Sequence, residues 1–448
     1  MKLSSNHKKE LVEILVNNIL KVVLIFIFIT NCSLNKNSKF WTSKKIKKEK
    51  QENIEEIFKK EEALNLEFNP LLKISLRAKP INKSFLNNFD NNNGRINYSG
   101  NLLNISKFKF SRIDNFYQYD PKISFHKNNI IFFDNKGSIL KFDKDSNLIW
   151  KKNYYSKSEK KLKPILFFAN NSKILIVTDN IAKYYALDIN TGKLLWSKNN
   201  TAPFNSQIKI YQDKFFVIDF ENILRAFSIK NGEEIWNLKT QNSLVRTQKK
   251  LSMVIVNKKI YFNNSLGDIS SANIESGELI WQSPTQSTLL YHEGFFLKTS
   301  DIIADNETLY FSNNKNKFFS LDIATGTLNW QTKINSNLRP TLIDDYIFTV
   351  SLEGYLIIIK KKSGNIIRIT DLFKNIKPKT RAKIKPTGFI VGKDNIYLTT
   401  DHGRLLVINI MEGSTKSILK IDNKKISRPS VLNENLFMIT DNAIIKLD

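Results

Sequence analysis

The protein has 448 residues, a mass of 52.0 kDa and a formal net charge of +27 at pH 7. Its 41% hydrophobic and 25% charged residues exclude wholesale disorder and a collagen-like fibre. A single cysteine, Cys32, excludes an internal disulfide and any multi-cysteine metal site. Lys and Arg are spread along the whole chain rather than interleaved with aromatics on one segment, which argues against nucleic-acid binding.

The N-terminus has the parts of an export signal: basic residues, a pure apolar run (VVLIFIFI, residues 22–29) and a cysteine shortly after it. The run is shorter than the roughly 20 residues that span a bilayer. Residues 29–32 (ITNC) resemble a bacterial lipobox, with Asn31 where that pattern prefers a smaller residue. The resemblance implies acylation of Cys32, and Ser33 in place of Asp implies retention in the outer membrane. A plain export signal, an uncleaved anchor and a buried apolar segment are the alternatives.

The chain therefore divides into a lipoprotein signal peptide at residues 1–32 and a tether at residues 33–104. The tether is rich in Asn, Lys and Glu without a sustained period, and we expect it to be largely disordered. Residues 49–66 are compatible with one short helix, which Asn69 and Pro70 would end. A partner-docking helix is the alternative interpretation of this stretch.

One pattern recurs from residue 105 to the end of the chain. Its clearest copies are YYALDINTGKLLW at residues 184–196 and FFSLDIATGTLNW at residues 318–330. The repeat occurs eight times, with its Asp position at Asp143, Asp188, Ser228, Asn273, Asp322, Lys360, Asn409 and Asp448. Short strands with hairpin turns at a period of about 43 residues predict an all-β fold, an eight-bladed β-propeller of four-stranded antiparallel blades.

Two turns punctuate each repeat. The residue six positions before the Asp position is almost always Gly or Asn, which adopt positive φ at low cost. These turn residues are Gly137, Ala182, Asn222, Gly267, Asn316, Gly354, Gly403 and Asn442. A second turn carries a glycine at Gly192, Gly232, Gly277 and Gly326, where the first copy has Ser146. Both positions predict tight hairpins.

The last copy ends before its fourth strand, at Asp448. A closed ring must fill that place, because otherwise a strand edge stays unpaired. Residues 105–113 (ISKFKFSRI) alternate apolar and polar residues ahead of the first full copy. We expect this segment to complete the last blade as its outer strand.

A tryptophan opens the fourth strand in five copies: Trp150, Trp196, Trp236, Trp281 and Trp330. Recurrence at one position of a repeat favours packing between neighbouring blades, where a large ring buries most area. A platform for a cofactor is the alternative. In two later copies Arg368 and Ser417 occupy this position.

Units of the form ALDxxTGxxxW resemble the PQQ-like propeller repeat of quinoproteins. A lipoprotein signal followed by one eight-bladed propeller is similar to the BamB family. That resemblance covers the signal and residues 105–448. It implies a non-catalytic scaffold without a cofactor on the periplasmic side of the outer membrane. Its partners would be the POTRA domains of a BamA-type barrel protein, other subunits of the assembly machine and unfolded barrel precursors.

The family contacts BamA through a Leu-x-Leu-Arg loop and an Asp-x-Asp segment. Ser243, Leu244, Val245 and Arg246 align with the first motif, with Ser and Val at its two leucine positions. Asp301 is the one acid that aligns with the second. An Arg beside an apolar residue on a loop is a common interface anchor, although a solvated loop arginine is the alternative.

Two other functions remain open. A PQQ-dependent dehydrogenase would need a quinone pocket, a Ca²⁺ site of oxygen ligands and a catalytic Asp. No paired-carboxylate or nucleophilic constellation stands out, and five of the six tryptophans belong to the repeat. A propeller adaptor for a different periplasmic machine is equally compatible with the fold. A scaffold of either kind can also bind an extended client along a blade edge by strand addition.

Overall fold

The computed structural model describes residues 66–80, 94–240, 247–285 and 297–448 except 101, 115 and 248, together with residues 16 and 18. These residues form eight four-stranded antiparallel sheets, which confirms the predicted eight-bladed propeller. Between residues 105 and 448, the described residues form three one-turn helices: α1 (Phe116–Tyr119), α2 (Lys157–Lys161) and α3 (Pro378–Arg381). No helix in this described part is long and apolar enough to cross a membrane.

In the first seven blades the strands follow chain order from the inside of the ring outwards. Blade 1 consists of β2 (Ser124–His126), β3 (Asn129–Phe133), β4 (Ile139–Phe142) and β5 (Leu148–Lys152). Blade 2 consists of β6 (Leu166–Asn170), β7 (Ile174–Asp179), β8 (Lys183–Asp188) and β9 (Leu194–Asn199). Blade 3 consists of β10 (Lys209–Tyr211), β11 (Lys214–Ile218), β12 (Ile223–Ser228) and β13 (Glu234–Lys239). Blade 4 consists of β14 (Met253–Val256), β15 (Lys259–Asn263), β16 (Ile269–Asn273) and β17 (Leu279–Ser283).

The second half of the ring repeats this arrangement. Blade 5 consists of β18 (Ile303–Ala304), β19 (Thr308–Asn313), β20 (Lys317–Asp322) and β21 (Leu328–Thr332). Blade 6 consists of β22 (Thr341–Ile343), β23 (Tyr346–Val350), β24 (Tyr355–Lys360) and β25 (Ile366–Asp371). Blade 7 consists of β26 (Pro386–Val391), β27 (Asn395–Thr400), β28 (Arg404–Asn409) and β29 (Thr415–Lys420). Blade 8 consists of β30 (Ser430–Leu432), β31 (Asn435–Ile439), β32 (Ala443–Leu447) and an outer strand from the N-terminal side, β1 (Ile105–Lys109).

Burial explains the composition of the strands. The second and third strands of a blade are buried on both faces between neighbouring blades, so they are nearly continuous apolar runs, as in β19 and β20. The fourth strands face solvent on one side and alternate in burial, as in β9. The first of the two predicted turns has positive φ in seven of the eight copies, from +57° at Asn316 to +90° at Gly354, and Asn442 is the exception.

The ring closes as predicted. Strand β1 pairs antiparallel with β32, from Ile105 opposite Leu447 to Lys109 opposite Ala443. Phe108 of β1 is buried and lies between two blades, with its ring centroid 5.7 Å from that of Phe142 and 6.3 Å from that of Phe437. The closing strand therefore contributes core packing as well as backbone hydrogen bonds.

Part of the predicted tether lies against blades 6, 7 and 8. Phe68 forms an antiparallel bridge with Ile369, and the backbone N–H of Ile74 donates to the carbonyl of Met411 at 3.1 Å. Further along, Tyr98 is buried against Tyr397. Residues 66–80 and 94–100 thus belong to the folded body, whereas residues 33–65 and 81–93 and the expected helix up to residue 65 lie outside the described residues.

The tryptophans and turn glycines meet between blades. A glycine of one blade faces the indole of the preceding blade in the pairs Trp150 with Gly192, Trp196 with Gly232, Trp236 with Gly277, Trp281 with Gly326 and Trp330 with Gly364. Three indole N–H groups donate to carbonyls of the next blade, at Ile229, Ile323 and Lys361. Each indole thus packs against a glycine of the next blade, with Trp150 buried and the other four rings partly exposed.

Arg368 occupies the tryptophan position of blade 6 and is fully buried. Its guanidinium lies against Gly413 of blade 7 and donates to the carbonyls of Leu72 (2.9 Å), Ile410 (3.0 Å) and Met411. Burial lowers the pKa of Arg368 to about 10. The arginine therefore replaces an apolar contact between blades by a polar one that also holds the N-terminal segment.

Candidate functional site

Blade topology places two sets of loops at one end of the ring. Because the strands are antiparallel, the turn between the second and third strands and the connection to the next blade lie at the same face. We call this the connection face. The predicted contact segment at residues 243–246 belongs to the connection between β13 and β14, and Asp301 belongs to the connection between β17 and β18.

Leu244, Val245 and Arg246 lie outside the described residues, but Thr247, which follows them, is held in place by its contacts. Thr247 is buried, and its hydroxyl donates to the carbonyl of Leu297 at 3.0 Å. The side-chain amide of Asn205 donates to the carbonyl of Thr247 at 3.0 Å. Thr247 thus links the connection before blade 4 to the connections before blades 3 and 5.

Asp301 is an ion-paired residue rather than a freely exposed acid. Its Oδ2 lies 3.0 Å from Lys122 Nζ, and 14% of its side chain is exposed. Burial alone would raise the pKa of Asp301, but the cations of Lys122, Arg339 and Lys249 outweigh it and hold the pKa far below its usual range. The carboxylate is therefore ionised at every physiological pH, and a partner would have to compete with Lys122 for it.

Asp301 is part of a larger group of charges, which we call the axial cluster. Its members come from the connections that precede blades 1, 4, 5, 6 and 8, and all of them interact electrostatically with others of the group: Asp120, Lys122, Lys249, Lys250, Asp301, Arg339, Lys425 and Arg428. Such different blades approach one another only at the axis of the ring. The cluster therefore surrounds the opening of the central channel on the connection face.

Hydrogen bonds across the ring support this placement. The Lys250 ammonium of blade 4 lies 3.5 Å from the carbonyl oxygen of Asp120 before blade 1. The Lys249 ammonium donates to the carbonyl of Asn337 before blade 6. Lys122 reaches Asp301 from the far side of the ring. These side chains retain partial solvent access, so they border an opening and are not sealed in the core.

The surroundings of the axial cluster lower the pKa values of three of its cations. Burial is the main cause that lowers the pKa of Lys249 to about 8 and of Lys250 to about 7. Burial and the neighbouring Arg339 guanidinium lower the pKa of Arg428 to about 9. Ionisable groups with strongly shifted pKa values concentrate at functional sites. Enclosing like charges costs stability, and a binding or catalytic role is a reason to keep them.

Sequence reasoning missed this cluster, because its members lie outside the repeat signature. A weak signal exists in hindsight: a basic residue precedes proline just before or at the start of the innermost strand in four blades. These pairs are Lys163-Pro164, Arg339-Pro340, Lys385-Pro386 and Arg428-Pro429. The repeat alignment alone does not show which of these side chains reach the axis.

The outer rim of the ring is a further exposed surface. The outer strands of blades 1 to 5 expose apolar side chains around the rim: Leu148, Ile149, Leu195, Ile235, Leu279, Ile280 and Leu328. Isolated exposed residues are ordinary, but a series along successive free strand edges suits strand addition by an extended chain. In the described residues, no three His, Cys, Asp or Glu side chains lie close enough together to hold a metal ion.

Comparison with known proteins points to one family. The profile described as outer membrane protein assembly factor BamB matches residues 135–370, more than half of the chain. The crystal structure of BamB from Moraxella catarrhalis superimposes with a TM-score of 0.61 at 14% identity, covering 77% of this chain and 100% of that one. Quinohemoprotein alcohol dehydrogenase from Comamonas testosteroni gives a TM-score of 0.55 at 11% identity, covering 79% of this chain and 78% of that one. Identities this low show a shared fold alone.

Quinoprotein alcohol dehydrogenase PedH from Pseudomonas putida is 24% identical over 145 residues, 29% of this chain. The chain matches 24% of the length of that curated relative. The similarity is thus confined to a few repeats.

Proposed function

This chain belongs to the family of outer membrane protein assembly factor BamB, and from that premise we propose that it is a non-catalytic scaffold of the outer-membrane barrel assembly machinery. We propose that it binds the POTRA domains of a BamA-type protein through its connection face and assists the insertion of barrel precursors. The family match over the repeat region carries this proposal. The connection face supports it, because both segments that align with the family's contact motifs belong to connections at this end of the ring.

The exposed outer strands suggest where an unfolded client binds. Their free edges offer backbone donors and acceptors, and their apolar side chains alternate with polar ones. Strand addition at these edges would leave the connection face available for the barrel protein. The scaffold can therefore hold client and machine at the same time.

The proposal is tested by affinity purification from detergent-solubilised outer membranes of the native host. We expect the tagged protein to recover an Omp85-type barrel protein, and Arg246→Glu to reduce that recovery at least fivefold while leaving the melting temperature unchanged. Reversal of the charge places a carboxylate where the family motif has its arginine anchor. Lys193→Glu is the matched control, because Lys193 is exposed in a turn on the opposite face. Equal recovery by wild type and Arg246→Glu would contradict the role of this loop.

A lipid anchor at Cys32 is part of the same proposal. We expect the mature protein to begin at acylated Cys32 and to sediment with outer membranes facing the periplasm. Cys32→Ala should move it to the membrane-free fraction, because two or three acyl chains supply the anchoring free energy. Fractionation and intact mass measurement check this result, and an unmodified Cys32 thiol in mature wild-type protein would contradict it.

The similarity to quinoprotein dehydrogenases makes an enzyme the second candidate. Titration with pyrroloquinoline quinone and Ca²⁺ decides between the two. Ca²⁺-dependent quinone binding with dye-linked oxidation of an alcohol would contradict the scaffold proposal. If neither activity nor a barrel protein is found, and a different envelope protein co-purifies instead, an adaptor for another machine replaces it.

A further inference from the structure

The axial cluster carries an excess of positive charge. Among the described residues it contains six cationic side chains and two carboxylates. Several cations have backbone carbonyls as hydrogen-bond partners: Lys249 donates to Asn337, and Arg428 Nε donates to Phe389 at 2.8 Å. A carbonyl satisfies an N–H donor but does not neutralise a charge, so these contacts leave the positive charges of Lys249 and Arg428 in place.

This arrangement opposes folding. Like charges that are partly removed from water repel one another more strongly than they do at the surface. Protonated Lys250 is disfavoured in the folded state, as its pKa of about 7 indicates. An apolar lining would give a more stable ring, and groups that cost stability are typical of binding sites.

We propose that the axial cluster is a binding site for an oxyanion, either a carboxylate or a phosphate group, that enters the central channel from the connection face. Arg339 and Arg428 present planar guanidinium groups, whose geometry matches the oxygens of both anion types. Lys249 and Lys250 add ammonium groups from the opposite side of the axis, before blade 4, and Lys122 adds one from the connection before blade 1. The bound anion brings the negative charge that the cluster lacks.

The shape of the cluster favours a compact ligand. Its cations come from the connections before four blades, 1, 4, 6 and 8, and surround the axis, so they do not form a row along a groove. A nucleic-acid strand would need such a row together with stacked aromatic rings. Asp120 and Asp301 among the cations further disfavour a long polyanion. This proposal does not depend on the partner of the scaffold, so either one can fail without the other.

The test is calorimetric titration of the full-length protein in detergent with citrate and, separately, with pyrophosphate. We expect saturable one-to-one binding by at least one of them at low salt. Arg428→Gln and Lys250→Gln should each weaken it at least tenfold. Lys193→Gln makes the same charge change on the opposite face and should leave the dissociation constant within twofold. Absence of saturable binding by both probes, or an equal loss in the control, would overturn the proposal.

Two variants are needed because they differ in packing. The side chain of Arg428 lies against Gly388, so its replacement can also disturb the fold, whereas Lys250 contacts mainly the Asp120 carbonyl and the ring of Phe167. If Arg428→Gln fails to fold, Lys250→Gln decides the outcome. Competition by a peptide with a free carboxyl terminus, but not by its amide, would identify a chain end as the source of the anion. Equal inactivity of both peptides would identify a small free anion.

Binding should weaken as the pH rises from 6.5 to 9, because Lys250, then Lys249 and, at the upper end of the range, Arg428 lose the protons that attract the anion. Asp301 stays ionised throughout this range. The free protein should respond oppositely. Since the pKa of Lys250 is lower in the folded state than in the unfolded state, stability rises with pH above about 7. Lys250→Gln should reduce the pH dependence of anion binding and also the pH dependence of stability. If neither pH dependence changes in that variant, Lys250 is not the titrating group.

Discussion

Alanine in place of Gly277 is expected to destabilise the propeller by about 2–4 kcal/mol. The φ of Gly277 is +75°, a conformation that costs an L-residue roughly 1 kcal/mol or more. The added Cβ would lie 2.5 Å from the indole of Trp236, and overpacking of this kind costs about 1–3 kcal/mol. Urea unfolding followed by tryptophan fluorescence measures the difference directly, because the displaced indole is itself the probe.

Ser146 provides the matched control for this substitution. It occupies the same turn in blade 1 with φ of +66°, and the strands of the neighbouring blade 8 contain no tryptophan. Ser146→Gly relieves backbone strain but increases the entropy of the unfolded chain, so we expect a gain of only about 0.5 kcal/mol. A loss below 1 kcal/mol for Gly277→Ala would show that the indole moves aside and that the contact between the blades is loose.

The same comparison explains why the repeat loses its signature at the ends. Ser146 faces blade 8, whose outer strand β1 comes from outside the repeat and brings no tryptophan. Ser417 stands at the tryptophan position of blade 7, next to the blade that lacks the second turn. Tryptophan and glycine are thus lost together at the closure.

Sequence periodicity could predict the blades, the turns and the closing strand, because each follows from local spacing and from the need to pair every edge.

Contacts between distant connections could not be predicted in this way. Arg368 looks like a missing tryptophan in the repeat, and its partner Leu72 lies 296 positions away in the chain. The axial cluster depends on which side chains of five separate connections reach the axis, and repeat alignment carries no information about that. Asp301 illustrates the difference: its position in the chain suggested a contact residue, and its geometry adds an ion pair with Lys122.

The closing strand gives the largest expected effect on stability. Phe108→Ala should destabilise the ring by about 3–5 kcal/mol, the usual cost of emptying a buried phenylalanine site. Phe108 is 1% exposed and joins blade 1 to blade 8 through Phe142 and Phe437, so the cavity would open at the seam of the ring. Hydrogen exchange should therefore accelerate in β1 and β32 more than in any other blade.

Phe311→Ala distinguishes loss of closure from loss of core. Phe311 is fully buried in blade 5, and its ring stacks on that of Phe319 in the same blade with 4.9 Å between the ring centroids. Its replacement by alanine should lower the free energy of unfolding by a similar amount. Its faster exchange should remain in blades 4 and 5, because the backbone pairing of β1 with β32 is untouched. If both variants accelerate exchange equally around the ring, the propeller unfolds as one unit and β1 acts as an ordinary strand. If only Phe108→Ala releases β1 and β32, the closing strand is the weakest boundary of the fold, as expected where two segments distant in the chain pair within one sheet.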